Sequence, residues 1–367
     1  MRVQSFYDII HAMQTKNKPN FASDYLEGAH PAILQRLAET NTEQTSGYGT
    51  DEHCERARNL IRKAANSPDA AVHFLVGGTQ TNAAVIDAFL RPYEGVIAAD
   101  TGHIAVHEAG AIEAGGHKVL TLAGEAGKLS AETLKRYLHD FYADENRAHA
   151  VQPGMVYISQ PTECGTLYSK KELSDIAALC REYALALYID GARLAYALAS
   201  PENDATLADL AAVSDAFYIG GTKCGALFGE ALVIPDKNRL PHFITTIKQH
   251  GALLAKGRLL GIQFEALFED GLYFRIGENA IRAADKIRSF LDTHGIRQYF
   301  ASPTNQIFIV LKNEDYALLS EKIGLSFWEK ADEAHSVVRI ATSWATTGEQ
   351  VERLLKALSE HSSCGKS

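Results

Sequence analysis

Lys223 stands in the segment Ala216-Phe217-Tyr218-Ile219-Gly220-Gly221-Thr222-Lys223-Cys224-Gly225. There a strand-like apolar run ends in two glycines, a hydroxyl and one lysine. Burial near a strand end disfavours the ammonium, lowers its pKa and frees the amine as a nucleophile able to form a Schiff base. Upstream, Tyr188-Ile189-Asp190-Gly191-Ala192-Arg193 closes a second apolar run with an aspartate, and an arginine follows three residues later. A lysine that makes an imine and an aspartate that keeps a pyridine nitrogen protonated are the minimal protein contribution to pyridoxal-phosphate chemistry. Taken singly, Asp190 also reads as a helix cap and Lys223 as a surface lysine.

Three more strand ends carry polar residues. After 71–76 comes Gly77-Gly78-Thr79-Gln80-Thr81-Asn82, leading into an alanine-rich helical stretch. Glycine permits close backbone approach, and a helix start offers free N–H groups, so Gly78 and Thr79 form a candidate phosphate cradle. After 96–99 comes Asp100-Thr101-Gly102-His103, which places a histidine to stack on an aromatic ring in a cleft. His103 and His107 share a helical spacing, but the zinc-protease helix needs Glu immediately after the first His, and Ile104 stands there; no metal is expected. After 155–159 comes Gln160-Pro161-Thr162-Glu163-Cys164-Gly165-Thr166, in which Gln160 or Thr162 can reach a ring hydroxyl. Cys164 and Cys224 lack a recognisable His/Asn partner and read as small buried residues. No GxGxxG follows a strand and no GxxxxGK[ST] occurs, so dinucleotide and P-loop chemistry lack support.

The elements that must position these residues are legible as an alternation. Strand-like runs fall at 71–76, 96–99, 118–122, 155–159, 186–189, 216–219 and 230–234, with helical stretches at 81–90, 107–114, 131–142, 171–183 and 206–213 between most of them. Continuous apolar strands separated by amphipathic helices predict an α/β fold, a mostly parallel sheet covered on both faces. Such sheets bind ligands beyond the carboxyl ends of their strands, where all five polar strand ends would then lie. Residues 240–294 read as long helices broken near Gly271, and 306–311, 336–341 and 348–359 as strand, strand and closing helix of a small C-terminal α/β domain. This divides the chain into an N-terminal segment 1–50, a large domain 51–240, and connecting helices with the small domain 241–367.

The chain has 367 residues, 46% of them hydrophobic, ample for one large core or two unequal domains. A net charge of -9, spread along the chain, argues against a nucleic-acid-binding face. No apolar run is long enough to span a bilayer, and Met1 to Phe6 do not start a secretory signal. Five unclustered cysteines, including Cys364, suit free thiols in a reducing cytoplasm.

Asp190-Gly191-Ala192-Arg193 followed by Gly221-Thr222-Lys223 resembles the threonine aldolase/β-eliminating lyase family of fold-type-I pyridoxal-phosphate enzymes. The resemblance covers most of the chain. Phe21-Ala22-Ser23-Asp24 resembles the family's Ser-Asp element, Tyr48-Gly49-Thr50-Asp51 its Tyr-Gly-x-Asp element, Thr101-Gly102-His103 the position of its ring-stacking histidine, and Val338-Arg339-Ile340-Ala341-Thr342-Ser343-Trp344 its C-terminal arginine strand. The resemblance implies a fold-type-I, transferase-like architecture: a large domain on a mostly parallel seven-stranded sheet plus a small C-terminal α/β domain. It implies pyridoxal 5′-phosphate on Lys223, with Asp190 at the ring nitrogen, Gly78 and Thr79 at the phosphate, and His103, Gln160 and Arg193 around the ring. Ser23, Arg193 and Arg339 would bind the carboxylate of an amino-acid substrate, and Tyr48 would also be a substrate-binding residue. It further implies a homodimer or homotetramer with sites at subunit interfaces, where Lys256 or Arg258 reaches a neighbour's phosphate.

One departure bears on the reaction. The better-known aldolases carry an Asn-Thr-His-like segment where this chain has Gln160-Pro161-Thr162-Glu163, an arrangement similar to that of phenylserine aldolases. Glu163 then replaces histidine as a candidate base near the β-substituent. The expected activity is retro-aldol cleavage of a threonine-like or phenylserine-like β-hydroxy-α-amino acid to glycine and an aldehyde. The alternatives are β-elimination with Lys223 as base and, below both, a non-catalytic cofactor-binding protein, which would have lost Lys223 or the arginines.

Overall fold

The computed structural model describes residues 18–361. Residues 1–6 and Cys364, which bear on the leader and thiol expectations, lie outside them. Seven strands form the large sheet: β1 Ala71–Leu75, β2 Glu94–Ala99, β3 Val119–Leu122, β4 Gln152–Ser159, β5 Ala186–Asp190, β6 Ala216–Gly220 and β7 Glu230–Ile234. Their order is β1-β7-β6-β5-β4-β2-β3. The pairs β3–β2–β4–β5–β6 are parallel, whereas β7 runs antiparallel to both neighbours, β6 and β1. Six strands therefore end at one edge of the sheet, and β7 begins there.

β5, β6 and β7 are buried at every position, as their unbroken apolar runs require when helices cover both faces. One core lies on the face packed by the helices Lys170–Glu182, Arg258–Phe268 and the start of Leu272–Thr293; a second lies on the face under Gly78–Phe89 and Phe243–Gln249. The small sheet is all antiparallel, in the order β8-β10-β9, with β8 Gln306–Lys312, β9 Ser326–Lys330 and β10 His335–Ala341. Its own core takes up the last turns of Leu272–Thr293, the closing helix Gly348–His361 and Phe21. Phe21 is tied in on both sides: its N–H donates to the Gly324 carbonyl and its carbonyl accepts from the Ala341 N–H, each at 2.8 Å.

Two local differences from the sequence expectation matter for function. The helix expected at 81–90 starts one turn earlier, at Gly78, so Gly78 and Thr79 occupy its first turn. The single helix expected at 107–114 is two short ones, His103–Val106 and Ala111–Ala114. Positive φ at Ala109 (51°) and Gly110 (72°) breaks the run between them, and Glu108, in that break, is buried.

Candidate active site

The carboxyl edge of the large sheet closes on a cavity of about 270 Å³, lined among others by Gly78, Thr79, His103, Glu163, Asp190, Arg193 and Lys223. It opens into an outer chamber of about 540 Å³, shared with His107, Trp328 and Arg339. The sequence-predicted residues Lys223, Asp190, His103, Glu163, Gly78, Thr79 and Arg193 are thus brought to one cleft, with Arg339 at its outer wall.

Asp190 ends β5 opposite Ser159 of β4. The turn after it is tight: a Cβ on Gly191 would sit 2.0 Å from the Tyr218 carbonyl oxygen, so only glycine fits. Four donors hold the carboxylate. Tyr218 Oη and the Ala192 N–H donate to Oδ1 at 2.5 and 2.9 Å, and Tyr157 Oη and Asn82 Nδ2 to Oδ2 at 2.6 and 3.2 Å. Burial opposes ionisation, but the nearby His103 ring and these hydrogen bonds outweigh it, and Asp190 titrates below the ordinary aspartate value. Such a group stays anionic at neutral pH.

Lys223 follows β6 in a loop pinned by its own backbone: the Gly221 and Thr222 N–H groups both donate to the Gly229 carbonyl, at 3.0 and 3.1 Å. The Tyr196 hydroxyl donates to the Lys223 carbonyl at 2.5 Å. Burial, then the charge of Arg193, lowers the Lys223 pKa from its ordinary value against the pull of Asp24, Asp190 and Glu230. This is the setting that makes a lysine amine nucleophilic.

The helix Gly78–Phe89 is capped by Gly77, which offers no side-chain acceptor to the first-turn N–H groups. These groups point out of the helix start toward an incoming anion. His103 Nδ1 lies 2.7 Å from Glu108 Oε1, which also accepts from Asn82 at 2.7 Å. Glu108 thus orients the His103 ring through Nδ1 and leaves Nε2 as its unengaged nitrogen. Glu163 Oε1 accepts from Ser159 Oγ at 2.7 Å and from the His103 N–H at 3.1 Å. Burial raises the Glu163 pKa above the ordinary glutamate value, since the Ser159 bond only partly offsets it.

The arginines differ from each other. Arg193 is buried and paired with Asp24, whose other partner is Asn305 Nδ2 at 2.9 Å. Burial opposes the Asp24 charge, but Arg193 and Lys223 hold its pKa down to about 2. Arg339 donates through Nη1 to Gln306 Oε1 at 3.1 Å and through Nη2 to the Ala22 carbonyl at 2.9 Å, while its Nε has no partner. Burial and the like charge of Arg193 lower it to about 10. Ser23 Oγ is likewise buried without a partner. Of these two orphaned donors, that of Arg339 belongs to a side chain lining the outer chamber, and a buried donor without a partner suits the oxygen of a bound carboxylate.

Other sequence-predicted residues fall elsewhere. Gln160 is not free to meet a ring: its Oε1 accepts from the Tyr168 N–H at 2.9 Å and its Nε2 donates to the Tyr168 carbonyl at 3.1 Å, so both ends are used inside the core. Thr162 bonds Thr166 at 2.7 Å. Tyr48 is 49% exposed and stacks under Lys248 outside this cleft. Arg258 spends its guanidinium on the carbonyls of Thr40, Asn41 and Glu43, and Lys256 lies in the turn before the helix that Arg258 begins; neither lines the chain's own cleft. Among the described residues, no cluster of His, Cys, Asp and Glu could hold a metal ion. Asp24, Glu108, Glu230 and Trp328 line or brace the site without having been singled out as site residues from the sequence. Asp24 carried a signal, its place in the Ser-Asp element; the others carried none.

Comparison with known proteins agrees with this geometry. A family model described as beta-eliminating lyase matches residues 20–318. The low specificity L-threonine aldolase of Pseudomonas aeruginosa is 30% identical over 345 residues, 93% of this chain and 97% of that protein. The enzyme of the same name from Saccharomyces cerevisiae is 25% identical over 321 residues, 85% of this chain and 79% of its own. Among solved structures, Leishmania major threonine aldolase superposes with a TM-score of 0.90 at 46% identity, covering 93% of this chain and 99% of that one. Thermus thermophilus aspartate aminotransferase, at 14% identity and a TM-score of 0.69 over 98% of this chain and 97% of its own, shares the fold. The chain belongs to the family of beta-eliminating lyases and threonine aldolases.

Proposed function

We propose that this protein cleaves the Cα–Cβ bond of a β-hydroxy-α-amino acid, threonine-like or phenylserine-like, to glycine and an aldehyde, with pyridoxal 5′-phosphate as its cofactor. The observation that carries the reading is the meeting of Lys223, Asp190 and the open helix start at Gly78 around one cavity. The donor set fits the group: a lysine with depressed pKa for its aldehyde carbon, a held carboxylate for its ring nitrogen, and the N–H groups of Gly78 and Thr79 for its phosphate. When bound, it supplies an electron sink for the pair released at Cα.

The residues then divide the work. Lys223 would hold the cofactor through its amine. Asp190 would hold the ring nitrogen in its protonated form, and His103 would flank the ring. Ser23 and Arg339 take the substrate carboxylate, with Arg193, braced by Asp24, beside them. Glu163 accepts the β-hydroxyl proton, directly or through water, as the Cα–Cβ bond breaks. Protonation at Cα gives glycine. Near full-length similarity to proteins named as threonine aldolases favours this over β-elimination.

The same reading makes the protein a homodimer or homotetramer in which Tyr48, Lys256 and Arg258 serve a neighbour's site. Their place outside the chain's own cleft supports it. It keeps the division at 1–50, 51–240 and 241–367; the change from one core to another along the helix Leu272–Thr293 supports a separately packed C-terminal unit. Four buried free cysteines suit a reducing compartment, the cytoplasm.

The test is a product assay with threonine and phenylserine. Glycine and aldehyde are expected, with Lys223→Ala inactive and lacking a chromophore that borohydride can trap. Ammonia and a 2-keto acid as main products would replace aldol cleavage with elimination. A trapped cofactor on the Lys223→Ala variant would sink the lysine assignment.

A further inference from the structure

The cleft has an inner and an outer part, and the reaction above gives a task chiefly to the inner one. Gly78, Thr79 and Asp190, the donor set for the cofactor, line the inner cavity and not the outer chamber. His103, Glu163, Arg193 and Lys223 line both and frame the passage between them. Glu163, the acceptor for the β-hydroxyl, stands in that passage, so the rest of what Cβ carries extends into the outer chamber. That chamber, about 540 Å³, is twice the inner cavity of about 270 Å³. A methyl group spans little of it.

The outer chamber has an aromatic wall, built on an irregularity in β9. Glu329 pairs with Val337 of β10 and Phe327 with Val338, which leaves Trp328 as one extra residue between them. An extra residue breaks the alternation of faces and re-aims a side chain, a use that bulges have beside active sites. The Trp328 ring meets the buried Phe308 edge-on, with 4.9 Å between centroids. The Arg339 guanidinium carbon lies over it at 5.7 Å. The His107 ring is 6.2 Å away. Since His107 follows the helix His103–Val106 beside the large sheet and Trp328 belongs to the small one, the wall joins the two sides of the chamber.

We propose that Trp328 is a specificity-determining residue: with His107 it packs against a planar aryl group on Cβ, so the chain favours phenylserine-like over threonine-like substrates. The inference deepens the retro-aldol reading and rests on it. Aromatic rings gain from one another beyond the area they bury, and a methyl group has no such gain to make. The charges around the chamber agree. Asp100 and Glu329 also line it and would repel a second carboxylate on the substituent. Arg193 is spent on Asp24, and Arg339 is assigned to the α-carboxylate. Burial, then the charges of His103 and Arg339, lower the His107 pKa from its ordinary value, so its ring is neutral at neutral pH and suits an apolar wall.

The test measures kcat/KM of the holoenzyme for phenylserine and for threonine in wild type, Trp328→Leu and Trp328→Phe. Leucine keeps apolar bulk without a ring, and phenylalanine restores one. In Trp328→Leu the value for phenylserine should fall by about tenfold or more and that for threonine by less than about threefold, and Trp328→Phe should recover most of the loss. A ring that served only to place Arg339 would lower both substrates alike. Equal losses, or none, overturn the proposal. A readout without turnover is the binding of 4-fluorobenzyl alcohol to the same holoenzymes, followed by ¹⁹F NMR. Binding that weakens by about threefold or more in Trp328→Leu supports the aryl contact, and identical binding overturns it. If the variants do not fold, wild type decides between phenylserine and its saturated counterpart β-cyclohexylserine. A preference of about fivefold or more for the planar ring supports the wall, and equal values overturn it. Wild type that yields glycine and aldehyde from neither phenylserine nor threonine sinks the functional reading and this inference with it; cleavage of both with no effect of the Trp328 ring sinks only the inference.

Discussion

Arg193 grips both carboxylate oxygens of Asp24, Nε to Oδ2 at 2.6 Å and Nη2 to Oδ1 at 3.1 Å. Both side chains are buried, so the pair is shielded from water. It joins the N-terminal segment to the turn that follows Asp190. A bidentate buried pair is costly to break from one side only, because the survivor keeps its charge in a dry site.

Asp24→Asn should therefore destabilise the protein by about 3–5 kcal/mol in denaturant melts, well beyond a typical surface change. The pH dependence has a defined sign. Asp24 is held down to about 2, against an ordinary value of 3.8. Its stabilisation is present in full above the ordinary value and is lost as pH falls toward about 2. Wild type should lose more stability than the variant across that window. Equal melting at neutral pH would show that Arg193 finds another partner.

Glu163→Gln separates two proton acceptors. If Glu163 takes the β-hydroxyl proton, kcat falls by about 10²–10⁴-fold with little change in KM. Burial raises the Glu163 pKa, so its basic form grows, and kcat climbs, through a midpoint above the ordinary glutamate range. Unchanged kinetics would instead point to the His103–Glu108 pair, whose 2.7 Å contact leaves Nε2 free. Glu108→Gln should then impair turnover.

Arg339→Lys should raise KM for the amino acid by about 10–100-fold, the worth of one charge-assisted hydrogen bond of about 1.5–3 kcal/mol. The orphaned Nε of Arg339 is the donor that lysine cannot supply. A variant with wild-type KM would place the substrate carboxylate elsewhere.

Much of this site is legible in the order of the residues alone. Lys223, Asp190, His103 and the Gly78–Thr79 turn each close a local apolar run or open the helix after it, and a parallel sheet gathers strand ends at one edge. Gln160 shows where local reading fails. Its place after β4 suggests a ring contact, but Tyr168 returns through the core and takes both ends of its amide.

The sequence by itself determined the strand ends and the residue types that close them, because apolar periodicity and turn residues act over a few positions. Only the tertiary structure decided which side chains complete them. Glu230 enters because β7 is reversed, a matter of strand order. Asp24 meets Arg193 because Phe21 anchors the N-terminal segment against the small sheet. Glu108 turns inward because the chain breaks at Ala109 and Gly110. Tyr157 and Tyr218 reach Asp190 from the flanking strands. Most of these partners are distant in sequence and are set by sheet order and packing, which no local pattern encodes.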